Sequence, residues 1–462
     1  MMNFLKWKEG EHMNKINGKW RQLLHLEPPR GWLNDPNGLC WFNGNYHVFF
    51  QYAPDDVNGG VKKSWGHYQS PDLINWEFTG AVLAPDIPED RSGAYSGSAI
   101  IANGVMELFY TGNVKEVGDY DYITSGRGAN VIRVSSKDGR SFSEKRVLLR
   151  NSDYPEFCSC HVRDPKLWEE NGKYYMILGA RTLANEGCVL IYESDDLDKW
   201  RFVKKISVPD FGYMWECPDM FDVGGKKLLS VSPQGLEHTE TANQNLFSSG
   251  YFPMNGDNLG DFEEWDYGFD FYAPQTFSAP DGRRILIGWL GMGDGSYTNP
   301  TAQLGWQHCL TLPREITVSK DGAVLQKPIR ELELLRSGEF AVSDGEFKIV
   351  PLPCDLYGKA NGSFEITLDS AISLTYDGKI FRLEFTNDSV GYGRTIRNCA
   401  IKKCEDIRII ADISSLEIYL DNGRKVMSTR FYPENESVNL IAHGISLKGC
   451  RLNGMEVNIL GE

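Results

Sequence analysis

Residues 164–180 read DPKLWEENGKYYMILGA, and how this stretch is read decides the fold. An Asp-Pro turn opens an apolar run, Asn171-Gly172 reverses the chain, and an aromatic-rich run, KYYMILGA, follows. Asn-Gly between two such runs predicts a β-hairpin, because both central residues of the tight turn need positive φ. The unit recurs. Turns at Asn43-Gly44, Asn103-Gly104, Gly224-Gly225 and Asp281-Gly282 accompany YHVFFQY, MELFYTG, KLLSVS and RRILIGWL, all rich in strand-forming residues.

Successive turns are roughly 53 to 68 residues apart, longer than a usual propeller blade but of the same order. Between them stand SPDLINW (70–76), SKDGRSF (136–142) and SDDLDKW (194–200), each ending in an aromatic residue suited to anchor an outer strand. Five units predict an all-β, five-bladed β-propeller over residues 1–325, since radial repetition leaves only short, protected sheet edges. An all-β sandwich with irregular hairpins is the alternative the pattern allows. Near residue 330 the pattern changes. RELELLRSG supplies a connector, helical or extended, over 326–339. Residues 340–462 then read as a β-sandwich, with RIIADISSLEIYLDNG (408–423) and KVMSTRFY (425–432) meeting at Asp421-Asn422-Gly423.

With 48 basic and 63 acidic residues the formal net charge is −15. That argues against nucleic acid or an anionic membrane as a partner, while leaving room for a local basic pocket. No run approaches the roughly 18 apolar residues of a membrane span. The N-terminal MMNFLKWKEGEHMNK lacks the apolar core of a signal peptide. A cytoplasmic protein is expected. The ten cysteines are scattered from Cys40 to Cys450 and read as reduced core thiols. Cys158-Ser159-Cys160-His161 has no second Cys/His pair at ligand spacing, so no metal is expected there.

Three carboxylates occupy equivalent places at the openings of the first, third and fourth units: Asp35 in WLNDPNG, Asp164 in HVRDPKLW and Glu216 in MWECPDMF. Each alone reads as an ordinary turn. Jointly they converge on the propeller's central channel, where like charges repel, so a fold that gathers them points to function. Two carboxyls flanking a bond are the minimum equipment for glycoside hydrolysis. Glu216, walled by Trp215, Cys217 and Pro218, suits the proton donor. Asp35, beside Asn34 and turn amides, suits the nucleophile, and Arg163 is placed to hold Asp164 ionised. Trp32, Trp65, Tyr95, Trp215 and Tyr272 are candidate stacking walls for a sugar.

WLNDPNG, FFQYAP, SGSA, RDPKLW, WECPDMF, DFYAPQTF and LTLPRE stand in the order seen in glycoside hydrolase family 32, which holds invertases, fructanases and sucrose-6-phosphate hydrolases. The chain resembles that family over nearly its whole length, more weakly at ADISSLEIYLDNG. The resemblance implies a five-bladed propeller followed by a sandwich, and a retaining mechanism through a covalent fructosyl-enzyme. It implies Asp35 as nucleophile, Glu216 as acid/base and Asp164 as transition-state stabiliser. Asn34, Gln51, Ser96 and Arg163 are implied as fructose contacts, with Tyr95 in the aromatic position beside Ser96. No metal or organic cofactor is implied. A retaining pair stands about 5–5.5 Å apart.

The loop DDVNGGVKKSWGHYQS lacks the early Trp of many members and resembles the intracellular bacterial sucrose-6-phosphate hydrolases, as do WLGMGDGSY and GWQHCLTLPRE. Lys62 and Lys63 are candidates for a phosphate contact, although adjacent loop lysines are ordinarily just solvated. The expected substrate is sucrose or sucrose 6-phosphate, a small-molecule sugar. An exo-fructanase, a fructosyltransferase and a non-catalytic carbohydrate-binding propeller are the competing readings, and oligomeric state is left open.

Overall fold

The computed structural model describes residues 18–60 and 62–460, so the N-terminal stretch read for a signal peptide lies outside the described residues. Five sheets come first along the chain. Their opening strands are Gly31–Phe42, Ala94–Ala102, Cys158–Glu170, Met214–Val223 and Tyr272–Ser278. Each opening strand lies against that of the next sheet, and the fifth lies against the first, so the five surround one axis. The repeating turns make the sheets alike. In four hairpins both turn residues take positive φ, as with Asn171 at 54° and Gly172 at 75°. The Asp281-Gly282 hairpin differs. A longer loop joins Ser278 to Arg284, closed by Ala279 N–H to Arg283 O at 2.8 Å, while the Asp281 carboxylate is engaged by Arg283.

The Ser-x-Asp segments fold alike as well. Ser70, Ser136 and Ser194 accept through Oγ from Leu73, Gly139 and Leu197 at 2.8, 2.9 and 3.0 Å. Asp72, Asp138 and Asp196 accept from Asn75, Ser141 and Lys199 at 2.8, 2.7 and 2.9 Å. Trp76 and Trp200 then return their indole N–H to Leu73 and Leu197, which fixes the start of the outer strand. Side-chain-to-backbone bonds of this kind terminate one strand and aim the next. Apolar faces of adjacent sheets close on each other, as where Ile177 and Val189 of the third sheet meet Trp215, Val231 and Phe252 of the fourth.

Two six-stranded antiparallel sheets follow and share one core, with Ile366, Leu374, Leu383 and Leu440 packed on Ile407, Ile409, Leu416 and Ile418. RELELLRSG is a 3₁₀ helix at Arg330–Leu335 running straight into the strand Arg336–Val342. The last strand, Glu456–Ile459, returns to pair in parallel with Asn75–Leu83 of the first sheet. A buried ionic seam joins the two groups of sheets. His25 lies between Asp412 and Glu417 at 2.7 and 3.0 Å, Arg314 contacts Glu417 and Asp266, and Arg394 forks onto Asp270. Among the described residues no helix is long and apolar enough to cross a membrane.

Candidate active site

The site is built from irregularities in strands. All five opening strands slip register where they face the axis: between Leu33 and Pro36, Tyr95 and Gly97, Arg163 and Lys166, Glu216 and Asp219, and Tyr272 and Gln275. Four slips contain an X-Pro pair, namely Asp35-Pro36, Asp164-Pro165, Cys217-Pro218 and Ala273-Pro274. Proline cannot donate to a ladder, so within a sheet it marks an edge or a bulge, and bulges re-aim side chains beside active sites. Asp164, Cys217 and Ala273 take φ of 61°, 45° and 50°. Such conformations cost of order 1–3 kcal/mol each and persist where the surroundings fix them. Here the turned amides are used: Asp164 N–H donates to Thr111 Oγ1 of the second sheet, and Cys217 N–H to Asp164 Oδ2, both at 2.8 Å.

Asp35 is surrounded by donors. Oδ1 accepts from Asn34 Nδ2 at 3.0 Å, and Oδ2 from Ser96 Oγ at 2.5 Å, Gln51 Nε2 at 3.2 Å and the Cys217 thiol at 3.8 Å. Trp32 Nε1 donates to Asn34 Oδ1 at 2.8 Å, which turns the amide N–H toward the carboxylate. Asn37, fully buried, donates to the Asp35 carbonyl and accepts from Gly97 N–H at 3.0 Å, locking the first strand to the second sheet. These bonds fix the direction in which the carboxyl points.

Glu216 accepts from Arg163 Nη1 at 3.1 Å on Oε1, and from Gln234 Nε2 and the Tyr272 hydroxyl, both at 2.7 Å, on Oε2. Asp164 is 4% exposed, and its carboxyl is pushed up to about 7. Burial is the largest cause, followed by the charge of Glu216, with Arg163 and the Cys217 amide opposing. The expected pairing of Arg163 with Asp164 is thus not the one formed, because the Asp164 bulge turns its carboxyl toward Cys217 while the guanidinium reaches Glu216. The three carboxylates do meet: Cys217 bridges Asp164 and Asp35 through its amide and thiol, one residue from Glu216.

The family models agree with what the geometry suggests. The glycosyl hydrolases family 32 N-terminal domain matches residues 25–328, and the family 32 C-terminal domain matches residues 356–449. The chain belongs to glycosyl hydrolase family 32. It is 39% identical to the sucrose-6-phosphate hydrolase of Bacillus subtilis over 92% of each chain. In structure it is similar to the sucrose-6-phosphate hydrolase of Lactobacillus gasseri, with a TM-score of 0.84 and 30% identity over 94% of each chain. A Bombyx mori family 32 β-fructofuranosidase matches with a TM-score of 0.84 and 28% identity over 96% of each chain.

Other expected contacts of this family 32 glycoside hydrolase distribute unevenly. Asn34, Gln51, Ser96, Arg163 and Tyr272 touch the carboxylates directly. Tyr95 stands half-buried beside Ser96. Trp65 and Trp215 are 0% exposed and offer no face to a sugar. Trp65 packs on Phe49 and Tyr110 and donates to the Tyr95 carbonyl, so it supports that strand; Trp215 lies between the third and fourth sheets. Gln234, Thr111 and Asn37 escaped the sequence reading. Gln234 had a signal: like Gln51, it lies toward the end of the second strand of its sheet. His161 of the Cys-Ser-Cys-His stretch lies between Arg127 and Arg163, and among the described residues no three His, Cys, Asp or Glu side chains gather as metal ligands.

Proposed function

We propose that this enzyme is a retaining β-fructofuranosidase that hydrolyses sucrose 6-phosphate, and sucrose less well, to fructose and the corresponding glucose. The observation that carries the reading is the asymmetry of the two carboxylates. Asp35 is held by donors from its own strand, its sheet partner and two other sheets, which suits attack on the anomeric carbon. Glu216 is 15% exposed on a different strand, with a phenol and a guanidinium fixing its orientation. It gives its proton to the glycosidic oxygen as the Asp35–fructosyl ester forms, then takes one from the water that breaks that ester. Asp164, tied to Asp35 through Cys217, stabilises the oxocarbenium-like transition state. The chain's likeness to sucrose-6-phosphate hydrolases supports this substrate class.

We further propose that the five sheets are blades of one propeller, supported by the closed ring of contacts among the opening strands, and that a sandwich follows a connector near residues 326–339. A cytoplasmic site of action is supported by ten cysteines of which none is paired.

The test is kcat/KM for sucrose 6-phosphate, sucrose and a short inulin oligosaccharide, scored by fructose released. The expected order is that order. Better activity on the oligosaccharide makes the enzyme a fructanase, and silence on all three overturns the reading. Glu216→Gln is expected to cost 10²–10⁴-fold in turnover, and a loss below about tenfold would remove Glu216 from the acid role.

A further inference from the structure

A basic cluster lies one side chain beyond Glu216. Arg163, which holds Glu216 with one nitrogen, contacts His161 Nδ1 with another. Arg127, at the start of the strand Arg127–Ser136 in the second sheet, reaches the same Nδ1 at 3.1 Å. Lys115 pairs with Arg127 across the ladder. Arg181, on the strand beside Arg163, lays its guanidinium over Tyr213 at 4.8 Å.

This positive charge is not neutralised locally. Among the described residues only Arg163 of the three arginines has a carboxylate partner, Glu216. The Nε atoms of Arg127 and Arg181 are buried with no hydrogen-bond partner. Asp121, on the nearby loop, spends its carboxylate on the amides of Ile123 and Thr124. The charges are felt where they meet: His161 is pushed down to about 3, by burial first and then by Arg163, Arg127 and Arg181. Two guanidinium groups without a carboxylate partner, gathered beside a third, cost repulsion and desolvation that contacts to His161 and Tyr213 do not neutralise. A dianion repays that cost, and the planar donor fork of arginine fits phosphate oxygens.

We propose that Arg127 and Arg181, with Lys115 behind them, cradle the phosphate of a phosphorylated disaccharide, an inference that rests on the glycosidase reading above. If Glu216 protonates the scissile oxygen, the leaving sugar lies against Glu216, and a phosphate on its primary alcohol is one side chain's reach from the arginines that adjoin Glu216 through Arg163. The lysine pair expected from the sequence is less suited. Lys62 is exposed, and Lys63 is surrounded by Asp35, Asp294, Glu216 and Asp56, which repel a phosphate.

The experiment measures kcat/KM for sucrose 6-phosphate and for sucrose in wild type, Arg127→Gln, Arg181→Gln and Arg127→Lys, with calorimetric titration of glucose 6-phosphate and glucose alongside. Each glutamine variant is expected to lower the ratio of the two kcat/KM values by roughly tenfold to a hundredfold, the scale of a lost charge-assisted hydrogen bond, with Arg127→Lys recovering part. Weaker binding of glucose 6-phosphate but not glucose supports the cradle whether or not turnover is observed. A wild-type preference that survives both glutamine variants overturns it. So does an equal fall on both substrates, which would make the arginines positioning residues for Glu216. A wild type that cleaves sucrose with no preference for its phosphate overturns the cradle and leaves the glycosidase intact. Thermal melts of each variant separate misfolding from these outcomes.

Discussion

At the scale of single residues, Asp164 shows how the site opposes stability. Its carboxyl has no charged partner of its own and accepts the amide of Cys217, while Glu216 and Asp35 raise the cost of ionising it. A carboxyl raised from its ordinary value to about 7 in the folded chain contributes stability that is complete below the unfolded value near 4 and is lost as pH rises through 7. Asp164→Asn keeps the acceptor for Cys217 and removes the titration. The variant is expected to melt above wild type at about pH 8, with the difference shrinking toward about pH 4. Its turnover should fall by about 10²–10³-fold, the usual loss of a preorganised electrostatic group. Melting curves at the two pH values and initial rates check both halves. A variant no more stable than wild type at the higher pH would mean that the site accommodates the charge better than its burial implies.

At the scale of elements, the strand bulge is the working part. Every opening strand carries one at the axis, and two free an amide that ties neighbouring sheets together around the carboxylates. Much of this was legible. The Asn-Gly turns gave the hairpins, and the equivalent placement of Asp35, Asp164 and Glu216 gave the convergence. The Asp-Pro and Cys-Pro pairs were read as turns, whereas they sit within strands; a proline inside an otherwise strand-like run is itself the mark of a bulge. Which donor reaches which carboxylate was not legible, because Arg163 chooses Glu216 over its chain neighbour Asp164 only once the bulge has rotated that neighbour away. The fit between elements is equally tight. A Cβ on Gly179, the residue paired with Arg163, would fall 2.1 Å from the Trp215 carbonyl oxygen, next to Glu216. Gly179→Ala must therefore push the third and fourth sheets apart. An overpacking cost of about 1–3 kcal/mol is expected in denaturant melts, with a loss of kcat out of proportion to it as Arg163 and Glu216 separate.

At the scale of the whole molecule, the first five sheets and the two six-stranded sheets are held by a seam of buried charge that takes no part in the site. His25 is fully enclosed and is raised to about 9, because its bonds to Asp412 and Glu417 outweigh a burial that works against its charge. A raised histidine contributes stability that is complete below its unfolded value near 6.5 and is lost as pH rises through 9, a window that meets that of Asp164 only between about 6.5 and 7. The last strand closes the same arrangement from the other end of the chain, pairing with the outer strand of the first sheet. His25→Gln removes the charge while retaining an amide. Leaving Asp412 and Glu417 without their shared cation is expected to cost about 3 kcal/mol at neutral pH, although Arg314 still serves Glu417. Because no seam residue contacts Asp35, Asp164 or Glu216, turnover well below the melting temperature should stay close to wild type. The decisive comparison is the slope of melting temperature against pH between about 7 and 9.5. Wild type should fall through that range and His25→Gln should fall less, since the group whose proton is being lost is gone. If both fall in parallel, the seam does not draw its strength from a protonated His25, and the single N–H of a neutral imidazole, with Arg314 on Glu417, would have to hold the two groups of sheets together.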